Sequence, residues 1–201
     1  MTSFTDLVDS VFTLTNRPDL VSETKLAVRS ATLKAHGSDY YYKDLRETGI
    51  QFDFSLPQQS LEYKTLIANW RSLKYIRPYF YDTNQQNGRP GDFLTVLTPG
   101  EVLDSYSIAK ENVCYVAGLE LQIRTRTATQ FFLLGYYAYP NVTEDNYSSW
   151  IADEAQMAIV YEAASIVFKT IGFDEQSAIY KQLVSDEYVE LKLTNIIANG
   201  Y

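Results

Sequence analysis

The apolar residues of this chain keep two different periods, and the change between them limits the fold more than any other feature. Phe4, Leu7, Val8, Val11 and Phe12 recur at helical spacing. Ser3 with Asp6 three residues on resembles a capping box, so a first helix is expected to run to about Leu14. Thr15-Asn16-Arg17-Pro18-Asp19 breaks it, because proline lacks a backbone donor and restricts the residue before it. A second helix follows to Ala35, with Thr24, Ala27, Val28, Ala31 and Ala35 on one stripe. Leu26 and Leu33 lie on another side, which predicts contact from two directions. His36 and Gly37 suit its C-terminus, a cation-capable side chain at the negative end of the dipole and then a residue that tolerates positive φ.

The period then falls to two. Ile50, Phe52, Phe54 and Leu56 alternate with Gln51, Asp53 and Ser55, the pattern of a half-buried strand. Residues 73–81 read as extended, with Pro78 marking an edge strand or a bulge. Residues 82–92, rich in Asn, Gln, Gly and Pro, read as a mobile loop. A short strand is expected at 93–97, then a helical turn from Pro99 through Tyr106. A strand over 113–117 and the alternation of Leu119, Leu121 and Ile123 follow. The almost wholly apolar 131–139 belongs in the middle of a sheet, and Pro140 ends it. About five strands with few helices between them imply an antiparallel sheet.

Helical spacing returns after Ser148 and Ser149, either of which can cap, with Asp153 and Glu154 in the first turn. Met157, Val160, Tyr161, Ala164, Val167, Phe168 and Ile171 form one stripe, while Ala155, Ala158, Ile159 and Ile166 cover much of the rest. A helix this apolar needs burial on several sides, within the domain or against another subunit. Gly172 and Asp174 separate it from a last helix carrying Tyr180, Val184, Tyr188 and Leu191. The expected fold is therefore α+β: one domain over 1–201, with helices over 1–48 and 148–195 forming a helical bundle. An antiparallel sheet of about five strands is inserted over 49–140, and 193–201 is an apolar C-terminal tail.

Composition removes much chemistry. One Cys allows no internal disulfide or multi-thiolate metal site, and one His allows no His-rich metal site, so neither a metal nor a cofactor is expected. A net charge of −8 argues against a clamp on nucleic-acid phosphates. The N-terminus lacks the basic and apolar regions of a signal peptide, which points to a reducing compartment and makes the sequons at Asn141 and Asn146 chance matches. Residues 151–171 carry four charges, which argues against a membrane span. His36 is the one imidazole base, without a nucleophile-elbow motif, and Cys114 reads as a buried, inert thiol. Asp153/Glu154, Asp174/Glu175 and Asp186/Glu187 are sequence neighbours whose side chains diverge on a helix. There is no glycine-rich phosphate loop, and Arg124 and Arg126 beside Phe131 and Phe132 make a weak stacking platform. No catalytic residue is assigned. The 17 tyrosines, clustered at 40–42, 75–81 and 136–139, suit an interaction surface as well as a core.

In its order of segments the chain resembles the head-to-tail adaptors of short-tailed bacteriophages, the portal adaptors or tail tubular A-like connectors. The resemblance is carried by Thr5-Asp6-Leu7-Val8, by Thr15-Asn16-Arg17-Pro18-Asp19 and by Ala31-Thr32-Leu33-Lys34-Ala35-His36. Tyr115-Val116-Ala117-Gly118-Leu119-Glu120-Leu121, Gly135-Tyr136-Tyr137-Ala138-Tyr139-Pro140, Trp150 and Ala158-Ile159-Val160-Tyr161-Glu162-Ala163-Ala164 continue it. It implies a structural virion protein, assembled in the host cytoplasm as a homo-oligomeric ring, twelve-fold by the family pattern. That ring would join the portal protein to a tail nozzle or tail tube protein at the head–tail junction. The tail residues Leu193, Ile196, Ile197 and Tyr201 would then contact the portal, and Tyr79, Tyr81, Asn87 and Arg89 the tail. DNA would pass the acidic surface during genome ejection without sequence-specific binding, and no membrane is involved. The alternative reading is a non-catalytic binding module, for a glycan or host surface, using exposed Tyr and Trp70.

Overall fold

The computed structural model describes residues 1–51, 58–82, 85–102, 110–125, 129 and 131–198. In chain order they form α1 (Phe4–Thr15), α2 (Val21–Gly37), β1 (Leu45–Gln51), β2 (Gln58–Glu62), α3 (Tyr63–Leu66), β3 (Trp70–Asp82), β4 (Gln85–Pro90) and β5 (Thr95–Val96). β6 (Val113–Ala117), β7 (Glu120–Arg124), β8 (Phe131–Ala138), α4 (Trp150–Glu154), α5 (Gln156–Thr170) and α6 (Asp174–Ala198) complete them. The protein is α+β, with six α-helices and two four-stranded sheets among the described residues. The chain divides into two compact units, one made of Met1–Asp44 with Tyr139–Tyr201 and the other of Leu45–Ala138.

In the first unit α5 is the central helix, packed by α1, α2, α4 and α6. Ser3 closes the capping box with Asp6, and Asn16 takes the left-handed conformation (φ 51°) that ends α1. Phe4, Leu7, Val8, Val11, Ala27, Val28, Ala31, Ile151, Ile159, Val160, Ala163, Ala164 and Val167 form its apolar core. The small residues of α2 and α5 let helix axes approach closely, and volume is then supplied by α1 and by Ile151 and Ile159. Two sequence expectations need correction here. The helix expected from Ser149 onward is broken at Ala155 (φ −140°, ψ 57°), so α4 and α5 are separate, and Met157 is exposed rather than part of the buried stripe. Leu26 is 67% exposed and Leu33 36%, so within this chain α2 is covered from one side.

The second unit holds two sheets, ordered β1-β8-β3-β4 and β2-β7-β6-β5, where one antiparallel sheet of about five strands was expected. Leu61, Ile76, Cys114, Leu121, Ile123, Phe132 and Leu134 from both sheets form one apolar cluster. Burial pushes the Cys114 thiol up to about 12. Of the alternating set that starts at Ile50, residues 52–57 lie outside the described residues, as do 103–109 in the expected helical turn. The loop expected at 82–92 is in large part β4, antiparallel to β3 with Tyr79 opposite Pro90 and Phe80 opposite Arg89. Its backbone ladder forms without an alternating apolar face, which is why the composition reads as loop. β5 is shorter than expected and pairs with β6 in parallel.

Pro78 lies in an interior strand rather than an edge strand, the register of β3 shifts nearby between Phe80 and Asp82, and the Pro78 carbonyl accepts from Gly91 N at 2.9 Å. In an antiparallel ladder a residue's N–H and C=O point the same way, so its missing donor faces the Gly91 side, beyond the end of β4, and the β8 pairing is spared. Tyr75 pairs with Gly135, which in turn pairs with Glu47, and the tyrosine hydroxyl donates to the Glu47 carboxylate across β8. That bond, with burial second, pushes the Tyr75 hydroxyl up to about 12. The ring passes where a Cβ on Gly135 would stand. Gly135→Ala is expected to destabilise the protein by about 1–3 kcal/mol by overpacking. In denaturant titration the cost should shrink in the Tyr75→Ala background, and a cost that is unchanged there would remove the close-approach explanation.

Candidate functional site

Two groups of polar side chains stand out in the first unit, one sealed and one open. The sealed group begins with His36, which lies in the last turn of α2 as expected and is 1% exposed. Its Nδ1 lies 2.8 Å from Asp44 Oδ1 and its Nε2 2.9 Å from Ser149 Oγ. A carboxylate only accepts, so Nδ1 carries the proton that faces Asp44. Trp150 Nε1 donates to the same Asp44 oxygen at 2.8 Å, and Ser149 Oγ accepts from Ala152 N at 3.2 Å as the cap of α4.

The order hydroxyl, imidazole, carboxylate is that of a hydrolase relay. Its setting is structural: Asp44 is 4% exposed and Ser149 7%, and the hydroxyl is already committed to capping α4. The indole of Trp150 stands edge-on to His36 and Tyr41 at 5.7 and 5.2 Å. This group joins the end of the N-terminal segment to the start of the C-terminal one. His36→Leu, which leaves a buried carboxylate without its imidazole, is expected to cost about 2–4 kcal/mol. Ser149→Ala should cost about 1–2 kcal/mol through the lost cap, both read from chemical denaturation. Equal and small losses would refute the tie.

The open group lies beside it. Tyr41, Tyr42 and Lys43, the end of α4, and Glu187, Glu190, Leu191, Thr194 and Asn195 of α6 line a cavity of about 210 Å³. Lys43 Nζ pairs with the Glu154 carboxylate and sits 4.9 Å above the Trp150 ring and 5.7 Å above that of Tyr42. That hydrogen bond to Glu154 holds the Lys43 ammonium above its ordinary pKa. Asn195 fastens the far wall: its Oδ1 accepts from Tyr42 N at 3.1 Å, and its Nδ2 donates to Asp39 Oδ2 and Tyr40 O, both at 3.3 Å. Burial, then the charges of Glu190 and Asp186, raise the Glu187 carboxyl above its ordinary value. A raised carboxyl binds its proton more tightly folded than unfolded, so its ionisation lowers stability as pH rises. Glu187→Gln is therefore expected to raise Tm slightly at neutral pH, with the gain vanishing once the pH falls below the ordinary glutamate range. A loss of Tm at neutral pH would reverse that sign.

Of the residues expected at the portal contact, Leu193, Ile196 and Ile197 are 55%, 47% and 74% exposed. They belong to α6, which is helical through Ala198, and do not form a detached tail. Tyr201 lies outside the described residues. Among the residues expected at the tail contact, Tyr79 of β3 stacks on Phe131 at 4.4 Å, and Arg89 of β4 is exposed. Position 81 is in β3 and position 87 in β4, and their side chains lie outside the description. The two sets belong to different units. Trp70 is partly buried, with Tyr63 at 4.7 Å and Tyr136 stacked at 5.4 Å, so its ring is engaged by its own unit.

The cavity residues escaped sequence reasoning because Glu154 and Glu187 belong to different acidic pairs. Within each pair the side chains diverge, while the fold brings one member of each to the same cleft. The Tyr40-Tyr41-Tyr42 cluster and Trp150 were the available signal. Among the described residues no group of His, Cys, Asp and Glu could hold a metal ion, and no helix is long and apolar enough to cross a membrane. No protein-family model matches the chain, and no curated protein matches it.

Proposed function

We propose that this protein is a non-catalytic assembly subunit, a ring-forming adaptor that joins a bacteriophage portal to the tail nozzle or tube and lines the DNA exit path. The observation that carries the reading is the outward face of α6. At 3.6 residues per turn, Ile179, Leu183, Leu193 and Ile197 fall on one strip of that helix, with Val189 and Ile196 beside it. All six are exposed, on an arc opposite buried Ser177, Val184, Leu191 and Asn195. A helix that packs on one face and leaves a second apolar face bare has the character of a docking element.

The resemblance of the sequence to the adaptor family supplies the partner, and the portal contact is assigned to the end of this strip. The helices of the first unit would form the adaptor's bundle, and the exposed Leu26 and Leu33 of α2 would face a neighbouring subunit. The net charge of −8 suits a wall past which DNA slides without sticking. Virion location at the head–tail junction follows from the same reading.

Deleting 193–201 is a poor test, because it removes Asn195 and with it the bonds to the 39–42 segment. Leu193→Glu with Ile197→Glu changes exposed positions alone. Light scattering of the unaltered protein mixed with its portal protein is expected to show a ring-sized complex with stoichiometric uptake. The double variant should stay folded and lose uptake at least tenfold. A folded wild-type protein that the portal ignores would overturn the adaptor reading.

A further inference from the structure

We infer that the cleft between the 41–43 segment, α4 and α6 receives an arginine side chain from an amphipathic segment of a partner protein, whose apolar residues cover the neighbouring strip of α6. This deepens the reading of α6 as a docking element and adds a specificity site to it.

The size of the cleft selects the kind of occupant. At about 210 Å³ it is smaller than the roughly 300–1,000 Å³ of sites for drug-sized ligands, and suits one long side chain. Its walls select the chemistry. Trp150 and Tyr42 offer aromatic surface, and Glu154, Glu187 and Glu190 offer carboxylates against the one lysine, Lys43. Lys43 is committed to Glu154, and among the described residues neither Glu187 nor Glu190 forms an ion pair. The unmet requirement is a second cation that can lie flat against an aromatic ring and take two carboxylate bonds. A guanidinium meets it better than an ammonium, being planar, forked and less strongly hydrated. The cleft already displays this chemistry on a smaller scale, since Lys43 stands over Trp150 while pairing with Glu154.

Two further observations tie the cleft to a protein segment rather than to a free cation. Glu190 lines the cleft and also lies in the apolar strip, between Leu183 and Ile197 in helical projection. An occupant that fills the cleft therefore continues over the strip. The charges breaking that strip, Asp186 and Glu190, are both acidic, so the complementary segment is apolar with basic anchors.

The test uses the full chain and a short acetylated peptide, Ala-Leu-Arg-Leu-Ala amide, with a counterpart in which citrulline replaces arginine. The indole N–H resonance of Trp150, assigned by comparison with Trp70→Phe, reports occupancy. The arginine peptide is expected to shift it saturably, and the citrulline peptide to bind at least fivefold more weakly. Glu187→Gln with Glu190→Gln should bring the two peptides to the same affinity in a protein whose circular dichroism is unchanged. Equal binding of both peptides to the unaltered protein, or a preference that survives the double substitution, would overturn the proposal. Spermidine alone producing the same shift at the same concentration would overturn the choice of a protein segment. A chain that prefers the arginine peptide yet ignores the portal removes the adaptor reading and leaves this one standing. A portal complex that forms equally well with both glutamates replaced does the reverse.

Discussion

The architecture of the helical unit depends on one buried polar contact, the imidazole of His36 held between Asp44 and Ser149. The unit is made of two chain segments separated by the whole of the strand-rich unit, and bringing such segments together costs loop-closure entropy before any packing is gained. Asp44 is the last residue of the first segment, and Ser149 and Trp150 open the first helix of the second. One carboxylate oxygen receives both the imidazole and the indole, so the two segments meet in a single register. A purely apolar contact at this point could slide by a fraction of a turn, whereas directional hydrogen bonds in a water-poor interior cannot do so without leaving a polar group unpaired.

α5 follows from that registration. It is apolar around most of its circumference because α1, α2, α4 and α6 all pack on it. Its one buried carboxylate, Glu162 at 3% exposed, is met at 2.5 Å by Lys34 of α2, whose aliphatic stem lets the ammonium reach in from the surface. Ser165 of α5 similarly reaches the carbonyl and hydroxyl of Ser177, each at 3.0 Å, and fixes the start of α6. The polar residues inside this unit thus act as register marks between helices whose small side chains would fit in more than one alignment.

What the sequence makes legible divides along the same lines. α1 is readable because cap, period and stop agree, and α2 because its buried face coincides with its predicted stripe, although it starts at Leu20 without a side-chain cap and runs through Gly37 to Ser38. The break at Ala155 is not readable: alanine carries no stop signal, and the break exists because α4 is positioned by the Ser149 cap and Trp150 while α5 is positioned by its core contacts. β4 is hidden for a related reason, since a strand held by its backbone ladder needs no alternating pattern. His36 was legible as a helix end and not as a buried tie, because its partners stand 8 and 113 positions away in the chain. The cleft is illegible for the same reason, its carboxylates arriving from separate acidic pairs.

The outward face of α6 poses a problem that its charges answer. An exposed apolar strip invites self-association, and a strip broken by lysine and glutamate in equal number would pair readily with a copy of itself. Here the charges within the strip are Asp186 and Glu190, so two copies laid face to face bring like charges together. The same acids favour a partner that presents apolar residues with cations among them. Placing the cleft at the edge of this strip adds discrimination, because a cation received there meets carboxylates that a neutral side chain would leave without a counter-charge. Apolar area then supplies the adhesion and the cleft decides which protein receives it.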